Sequence, residues 1–347
     1  MTQHHGAHEA PARELIPGVT RRAAALVIGV LLLQFGFVLS YVGAFHAPTP
    51  RDVPLAVVAP AGAPAGTAAS AAGRLDGLDG HPLDARVAGD EKSGRRQLAE
   101  RAVDGVLLLG ADGRDTLVVA GAEGGAVSSA LTEVVTKVDA AQQRTLTTTD
   151  AIPAGAADAR GLSAFYLAVG WVVGGYLVAA IIGVSAGSRP LTRTRGAVRL
   201  GALALYAVVS GVGGALITGP VLGVFTGHFL PLAAFGALLV FAVGAFTMGL
   251  QVWTGLVGIG LAILLFVILG NPSAGGAYPA PLLPPFWAGI GHWLPPGAAT
   301  NAIRGIVYFG GAGAGIGALV LAGYALVGLV ATMLGAGRKT ELALAEA

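Results

Sequence analysis

Between Arg199 and Arg304 lie 104 consecutive residues, Leu200 to Ile303, without a single Asp, Glu, Lys or Arg. A water-soluble domain cannot accommodate such a stretch, because its folded surface needs charge to stay solvated. At about 1.5 Å rise per residue, about 20 apolar residues cross the ~30 Å hydrocarbon core of a bilayer, so this stretch crosses several times. The whole chain agrees: of its 347 residues 54% are hydrophobic and only 12% charged, with a mean hydropathy of +0.72. The sequence therefore predicts an α-helical polytopic membrane protein. The 55 glycines and 19 prolines sit among Ala, Val and Leu in long apolar runs, which argues against collagen-like and disordered chains. The absence of cysteine removes disulfides, thiolate metal sites and Cys nucleophiles.

Charge becomes informative when divided by position. Residues 46–161 carry 11 basic and 15 acidic side chains, net −4, whereas the rest carries 10 basic and 4 acidic, net +6. The first span is expected at 23–45, after Arg21 and Arg22, and is too long for a cleaved signal-peptide core. The second is expected at 162–186. It runs into the loop 188–199, where Arg189, Arg193, Arg195 and Arg199 occur without an acid. A short loop of that charge belongs in the cytoplasm. Residues 46–161 then lie outside the cell membrane, and further spans at 200–219, 229–250, 252–269 and 311–334 bring the chain back to Arg338 and Lys339. The expectation is six transmembrane helices with both termini, 1–22 and 336–347, in the cytoplasm.

The extracytoplasmic segment reads as a small inserted α/β domain. Short apolar runs at 53–59, 83–88, 105–109, 116–121 and 144–149 predict strands, and 65–75, 91–103 and 125–142 predict helices. In the last helix Val127, Ala130, Leu131, Val134, Val135 and Val138 share one face. Asp158 and Arg160 stand where this domain hinges on the second span. They are read as a solvated pair, with Asp158 near a helix N-terminus.

Residues 271–309 contain seven prolines, which rule out one continuous helix, yet are too apolar for an aqueous loop. Irregular backbone at membrane depth must be buried in protein or line a cavity, so a re-entrant hairpin before the last helix is expected. Tyr278, Trp287, Trp293 and Tyr308 suit the headgroup layer. Pro279, Pro284, Pro285 and Pro295 punctuate the segment. Arg304 is expected near the outer surface, snorkelling to headgroups or touching a substrate or a domain carboxylate.

The sequence Val53-Pro54-Leu55-Ala56-Val57-Val58 opens the outer domain, and Arg101-Ala102-Val103-Asp104-Gly105-Val106-Leu107-Leu108-Leu109 follows within it. Tyr278-Pro279, Leu283-Pro284-Pro285-Phe286-Trp287 and Leu294-Pro295-Pro296-Gly297 mark the hairpin. In order and spacing, over nearly the whole chain, these resemble ABC-2 type transporter permeases, in particular the YhgE/Pip-like branch. The resemblance implies a permease that dimerises, as a homo- or heterodimer, and exports a hydrophobic or amphipathic, lipid-like or drug-like compound. ATP would be hydrolysed by a separate cytoplasmic ABC ATPase subunit touching the loop between the second and third spans. The alternative is a non-transporting YhgE/Pip-like scaffold or receptor whose outer domain binds an envelope or extracellular partner.

Other motifs carry less. Lys92-Ser93 and Lys339-Thr340 lack the Gly-rich cradle of a P-loop, so this chain is not expected to be an enzyme that hydrolyses ATP. Gly183-Val184-Ser185-Ala186-Gly187 has the spacing of a nucleophile elbow but ends a membrane span, with His228 and His292 expected on the opposite side. Gly170 to Gly174 and Gly313 to Gly317 have the spacing that permits close helix approach. His4, His5 and His8 belong to a tail with no further ligands arranged around them. No cofactor, metal or nucleic acid is expected. The arginine cluster is a candidate contact for anionic membrane lipids or for a partner. The third to sixth spans hold no carboxylate, which disfavours ion-driven transport.

Overall fold

The structure is a computed structural model that describes residues 21–337, with the side chains of Arg21 and Arg22 outside the description. His4, His5, His8, Arg338, Lys339 and Thr340 lie outside the described residues. The chain begins with α1 (Arg21–Phe45) and enters a domain ordered β1 (Val53–Val58), α2 (Thr67–Asp76), β2 (Leu83–Val87), α3 (Glu91–Ala99), β3 (Gly105–Leu108), β4 (Arg114–Val119), α4 (Gly125–Ala141) and β5 (Thr145–Asp150). Each element overlaps the run that its apolar pattern predicts.

The sheet order is β2-β1-β3-β4-β5. β1 pairs in parallel with β2 and β3, β3 antiparallel with β4, and β4 in parallel with β5. Alternation along β1 sends Leu55 and Val57 to one face and Ala56 and Val58 to the other, and both faces are buried. The first face is covered by α2 and by Val127, Leu131 and Val135 of α4. The second is covered by Leu98 of α3.

The remainder is helical: α5 (Ser163–Ser185), α6 (Arg193–Leu216), α7 (Phe229–Thr254), α8 (Val257–Ile263), α9 (Pro285–Gly291), α10 (Pro295–Tyr308) and α11 (Ala314–Gly335). α7 is the hub and packs on α5, α6 and α11. Trp171 of α5 is wedged beside Gly214 of α6 and Gly236 of α7, where an added Cβ would lie 2.5 and 2.4 Å from its ring. Its indole N–H donates to Ser210 O at 3.0 Å. α1 stands apart with most of its large side chains exposed. It touches the body where the Ser40 hydroxyl donates to Ile268 O and Gly36 faces the Ile268 side chain.

Among the described residues, five helices are long and apolar enough to cross a membrane: Ala23–Phe45, Ser163–Ser185, Arg193–Val221, Phe229–Thr254 and Ala314–Gly335. The run expected as a span at 252–269 behaves differently. Its turn falls at Gly255, whose φ of 66° is readily adopted only without a side chain, and helix resumes at Val257. Seven α-helical residues and six more in wider π turns rise about 20 Å, short of a ~30 Å core.

Prolines in 271–309 start helices rather than only breaking them. Pro285 opens α9 and Pro295 opens α10, where the missing N–H has no intrahelical partner to lose. The segment grips the outer domain on two sides. Leu282 and Tyr278 join the core under α2 and α4, and Phe309 joins the core under α3. Arg51, just before β1, donates from its backbone to Pro281 O and from its side chain to Leu283 O at 2.9 and 3.1 Å.

Candidate functional site at the domain junction

A cavity of about 450 Å³ lies where the loops after α3 and β4 meet α10 and the backbone at 273–281. Arg101 follows α3 with φ +61°, a left-handed conformation uncommon outside glycine. Its guanidinium donates to both Glu123 oxygens, at 2.6 and 3.0 Å, and to Asn301 O at 2.8 Å, and lies 5.2 Å from the Phe309 ring centre. Thus one side chain of the outer domain clamps a carboxylate of its own domain and the backbone of α10. Such planar, bidentate geometry is what arginine supplies and lysine does not.

Arg304, on the next turn of α10, is 1% exposed. It donates from Nη1 to Gly275 O at 2.9 Å and from Nη2 to Gly161 O at 3.3 Å, while Nε has no partner among the described residues. The sequence-based expectation that Arg304 snorkels outward is corrected: the outer domain sits over it and turns it inward. Gly161 and Gly275 belong to different segments, so Arg304 bridges the start of α5 to the proline-rich segment. Four residues on, Tyr308 OH donates to Asp158 Oδ2 at 2.8 Å. Asp158 Oδ1 accepts from Ser163 N and Oγ at 2.9 and 2.6 Å, which supplies acceptors to the start of α5. Asp158 is therefore buried and Arg160 exposed; the structure separates the two residues read as a solvated pair.

Two cations, Arg101 and Arg304, face two carboxylates, Glu123 and Asp158, whose fields both reach Arg304. Asp104 is the fifth ionisable group. Burial, and then repulsion from Glu123, push its carboxyl up to about 7 despite the opposing Arg101. A raised carboxylate pKa means that the folded state binds the proton more tightly than the unfolded chain. The resulting stabilisation is full below the ordinary carboxylate range and is lost as pH rises through about 7. Asp104→Asn is expected to flatten that loss: the thermal midpoint of the wild type should fall by about 4 °C from mildly acidic to mildly alkaline buffer, and that of the variant should not. Parallel profiles would contradict a raised, protonatable Asp104 carboxyl.

The other predicted site residues spread over the molecule. Pro279 rests on Gly124, where a Cβ would approach its ring to 2.9 Å and where φ is +136°. Tyr278 meets the Phe45 ring at a tilt, 5.8 Å between centroids. Trp287 packs edge-on against Phe286, and Trp293 is exposed beside His292. Pro284 caps α9 ahead of Pro285, and Pro295 is buried. Tyr308 lies in the junction, on Asp158.

The arginines between α5 and α6 divide into two kinds. Arg199 donates to Gly187 O at 2.7 Å and to Ala186 O, and Arg189 donates to Val252 O at 3.0 Å. These two satisfy carbonyls at the ends of α5 and α7, where a cation also complements the helix dipole. Arg193 and Arg195 are exposed on the first turn of α6, against the dipole and with no acid in that turn.

No local sequence signal marks Arg101, Glu123 or Asp104 as site residues. Arg101 and Asn301 are 200 positions apart, and neither has a local pattern that announces the other. Comparisons with protein-family models, with curated proteins and with solved structures give no match to this chain.

Proposed function

We propose that the chain is the membrane subunit of an exporter of the ABC-2 permease type, working as a dimer in the cell membrane on a lipid-like or drug-like compound. In this reading α1, α5, α6, α7 and α11 cross the membrane, α8 with the π turns to Leu269 begins a sixth pass that the backbone after it completes, residues 46–161 lie outside, and 271–309 is a re-entrant hairpin. Both termini are then cytoplasmic, as the charge division favours. The observation that carries the proposal is the junction: a set of buried and part-buried charges ties the outer domain to α10, which packs on α5 and α11. A loosely tethered domain has no use for such a strut, whereas a machine that converts helix movement into outward release does. The apolar spans from α6 to α8 hold no carboxylate beyond Arg199, which disfavours ion-driven transport and favours a separate ATPase as the energy source. Arg193 and Arg195, uncompensated at the opposite end from the junction, offer the docking contact for a separate ATPase or for anionic lipid.

Pull-down from native membranes tests this directly: a P-loop ATPase should co-purify, and its absence removes the energy source and with it the proposal. Replacing Arg193 and Arg195 together by glutamate should abolish ATPase co-purification while insertion and folding persist. Retention of the ATPase by that variant would move the contact elsewhere. A second reading, a receptor whose outer domain binds a partner or ligand, is favoured by a separate cavity in that domain.

A further inference from the structure

That cavity, of about 430 Å³, opens at the carboxyl ends of β1 and β3, in the crevice between the β1–α2 loop and the end of α4. β1 leads through α2 to β2 on one side, and the chain then returns through α3 to β3 on the other. The crevice at such a reversal of strand order is where open α/β sheets accommodate ligands. Its wall is part apolar, from Leu107, Leu109 and Val138, and its charged groups converge from three elements.

Asp139, on α4, is only 4% exposed and lines the cavity, with Oδ2 of its carboxylate enclosed beside it and unpartnered among the described residues. The charged groups facing it are Asp115 from β4, Arg144 just before β5 and Arg74 from α2. Arg144 is committed elsewhere: Nε donates to Asp115 Oδ2 at 2.7 Å, and Nη2 donates to Asp115 Oδ1 and to Gly110 O. Gly110 N also donates to Asp115 Oδ1 at 2.8 Å, so that carboxylate is fully served. Arg74 reaches Gln142 Oε1 at 3.4 Å rather than Asp139. One arginine thus stands beside two buried carboxylates and bonds one of them. A buried acceptor without a donor is costly, and the cost persists until a donor arrives.

We infer that the outer domain has a binding site for a small primary amine, whose ammonium group sits on Asp139 and whose short apolar body lies against Leu107, Leu109 and Val138. A turn of the Asp139 side chain towards the cavity brings the enclosed oxygen to the ammonium, which supplies the missing donor together with a positive charge. Burial, and then repulsion from Asp115, hold the Asp139 carboxyl up at about 6, with Arg144 opposing. The site is therefore charged and receptive above that value and neutralised below it. This inference does not depend on the export reading: amine binding and ATPase co-purification can each fail without the other.

The test uses the full chain in lipid nanodiscs, with n-butylammonium as the probe and butyrate as its anionic counterpart, followed by ligand-observed NMR. Butylammonium is expected to bind saturably at millimolar concentration well above pH 6, to weaken about tenfold in Asp139→Asn, and to weaken likewise in the wild type well below pH 6. The variant should keep or raise the thermal midpoint, since it removes an unpaired charge, so a loss of binding is not a loss of fold. Equal binding by wild type and variant, no saturable binding of the amine, or preference for butyrate overturns the assignment. Leu109→Trp, which fills the apolar wall, provides a second check: it should block butylammonium while leaving Asp139 in place, and unimpeded binding would place the amine outside this cavity.

Discussion

Arg304→Met is expected to release the outer domain from the helical body, lowering the thermal midpoint by about 10 °C and exposing the chain around Arg160 to trypsin. Three losses combine. Gly275 O and Gly161 O each lose a donor in a buried setting, at about 1–3 kcal/mol apiece. The fields of Glu123 and Asp158 lose a cation that balanced them. Removing one member of a buried charge set costs about 3–5 kcal/mol, because the partner charges stay behind. Restoring charge balance should recover part of the loss, so Arg304→Met with Asp158→Asn is expected to melt above Arg304→Met alone. Arg304→Lys keeps the charge but reaches only one of the two carbonyls, and should fall between. Size-exclusion thermal stability and timed trypsin digestion read all three variants. A midpoint and digestion pattern unchanged in Arg304→Met would mean that the junction does not hold the two parts together.

Gly328→Leu is expected to have the second large effect, by lifting α11 off α7. An added Cβ at Gly328 would come within 2.3 Å of both the Ala245 carbonyl carbon and the Phe246 nitrogen, backbone atoms that cannot turn aside. Gly249 of α7 faces the same crossing, with Gly328 Cα 3.3 Å from where its Cβ would be. In lipid there is little hydrophobic drive between helices, and close backbone approach is what makes their packing favourable. Overfilling this contact should cost about 3 kcal/mol or more, with a midpoint lower by about 10 °C and reduced monodispersity on size exclusion. Gly323→Leu is the control on the same helix, since nothing lies within 4 Å of its Cβ position, and it should change little. Equal behaviour of the two variants would contradict the tight crossing. The same geometry bears on the glycine pairs with regular spacing: at Gly170 an added Cβ meets nothing, while Gly174 faces Tyr206, Gly313 faces Arg101 and Gly317 packs on Ala298, all within the chain.

Much of the architecture was legible because it is written locally. The short apolar run Leu55-Ala56-Val57-Val58 and the shared face of Val127, Leu131 and Val135 point to strand and helix from neighbouring residues alone. The uncharged 104 residues and the −4 and +6 division likewise determine a membrane body with a more polar appendage, because charge is costly in hydrocarbon. What the tertiary structure decided is which of the sparse charges meet. Arg304 in sequence is a lone arginine in an apolar run, and only the outer domain folded over α10 turns it inward onto Gly161 and Gly275. Arg189 and Arg199 reach the carbonyls at the ends of α5 and α7 only once those ends and the start of α6 lie side by side, which leaves Arg193 and Arg195 exposed. Asp139 lies on the α4 face that packs towards the sheet, yet its missing donor becomes visible only when Arg144 is seen committed to Asp115. Local pattern depends on neighbours a few residues away, whereas a buried charge is defined by what encloses it, and here those groups come from segments up to 200 positions apart.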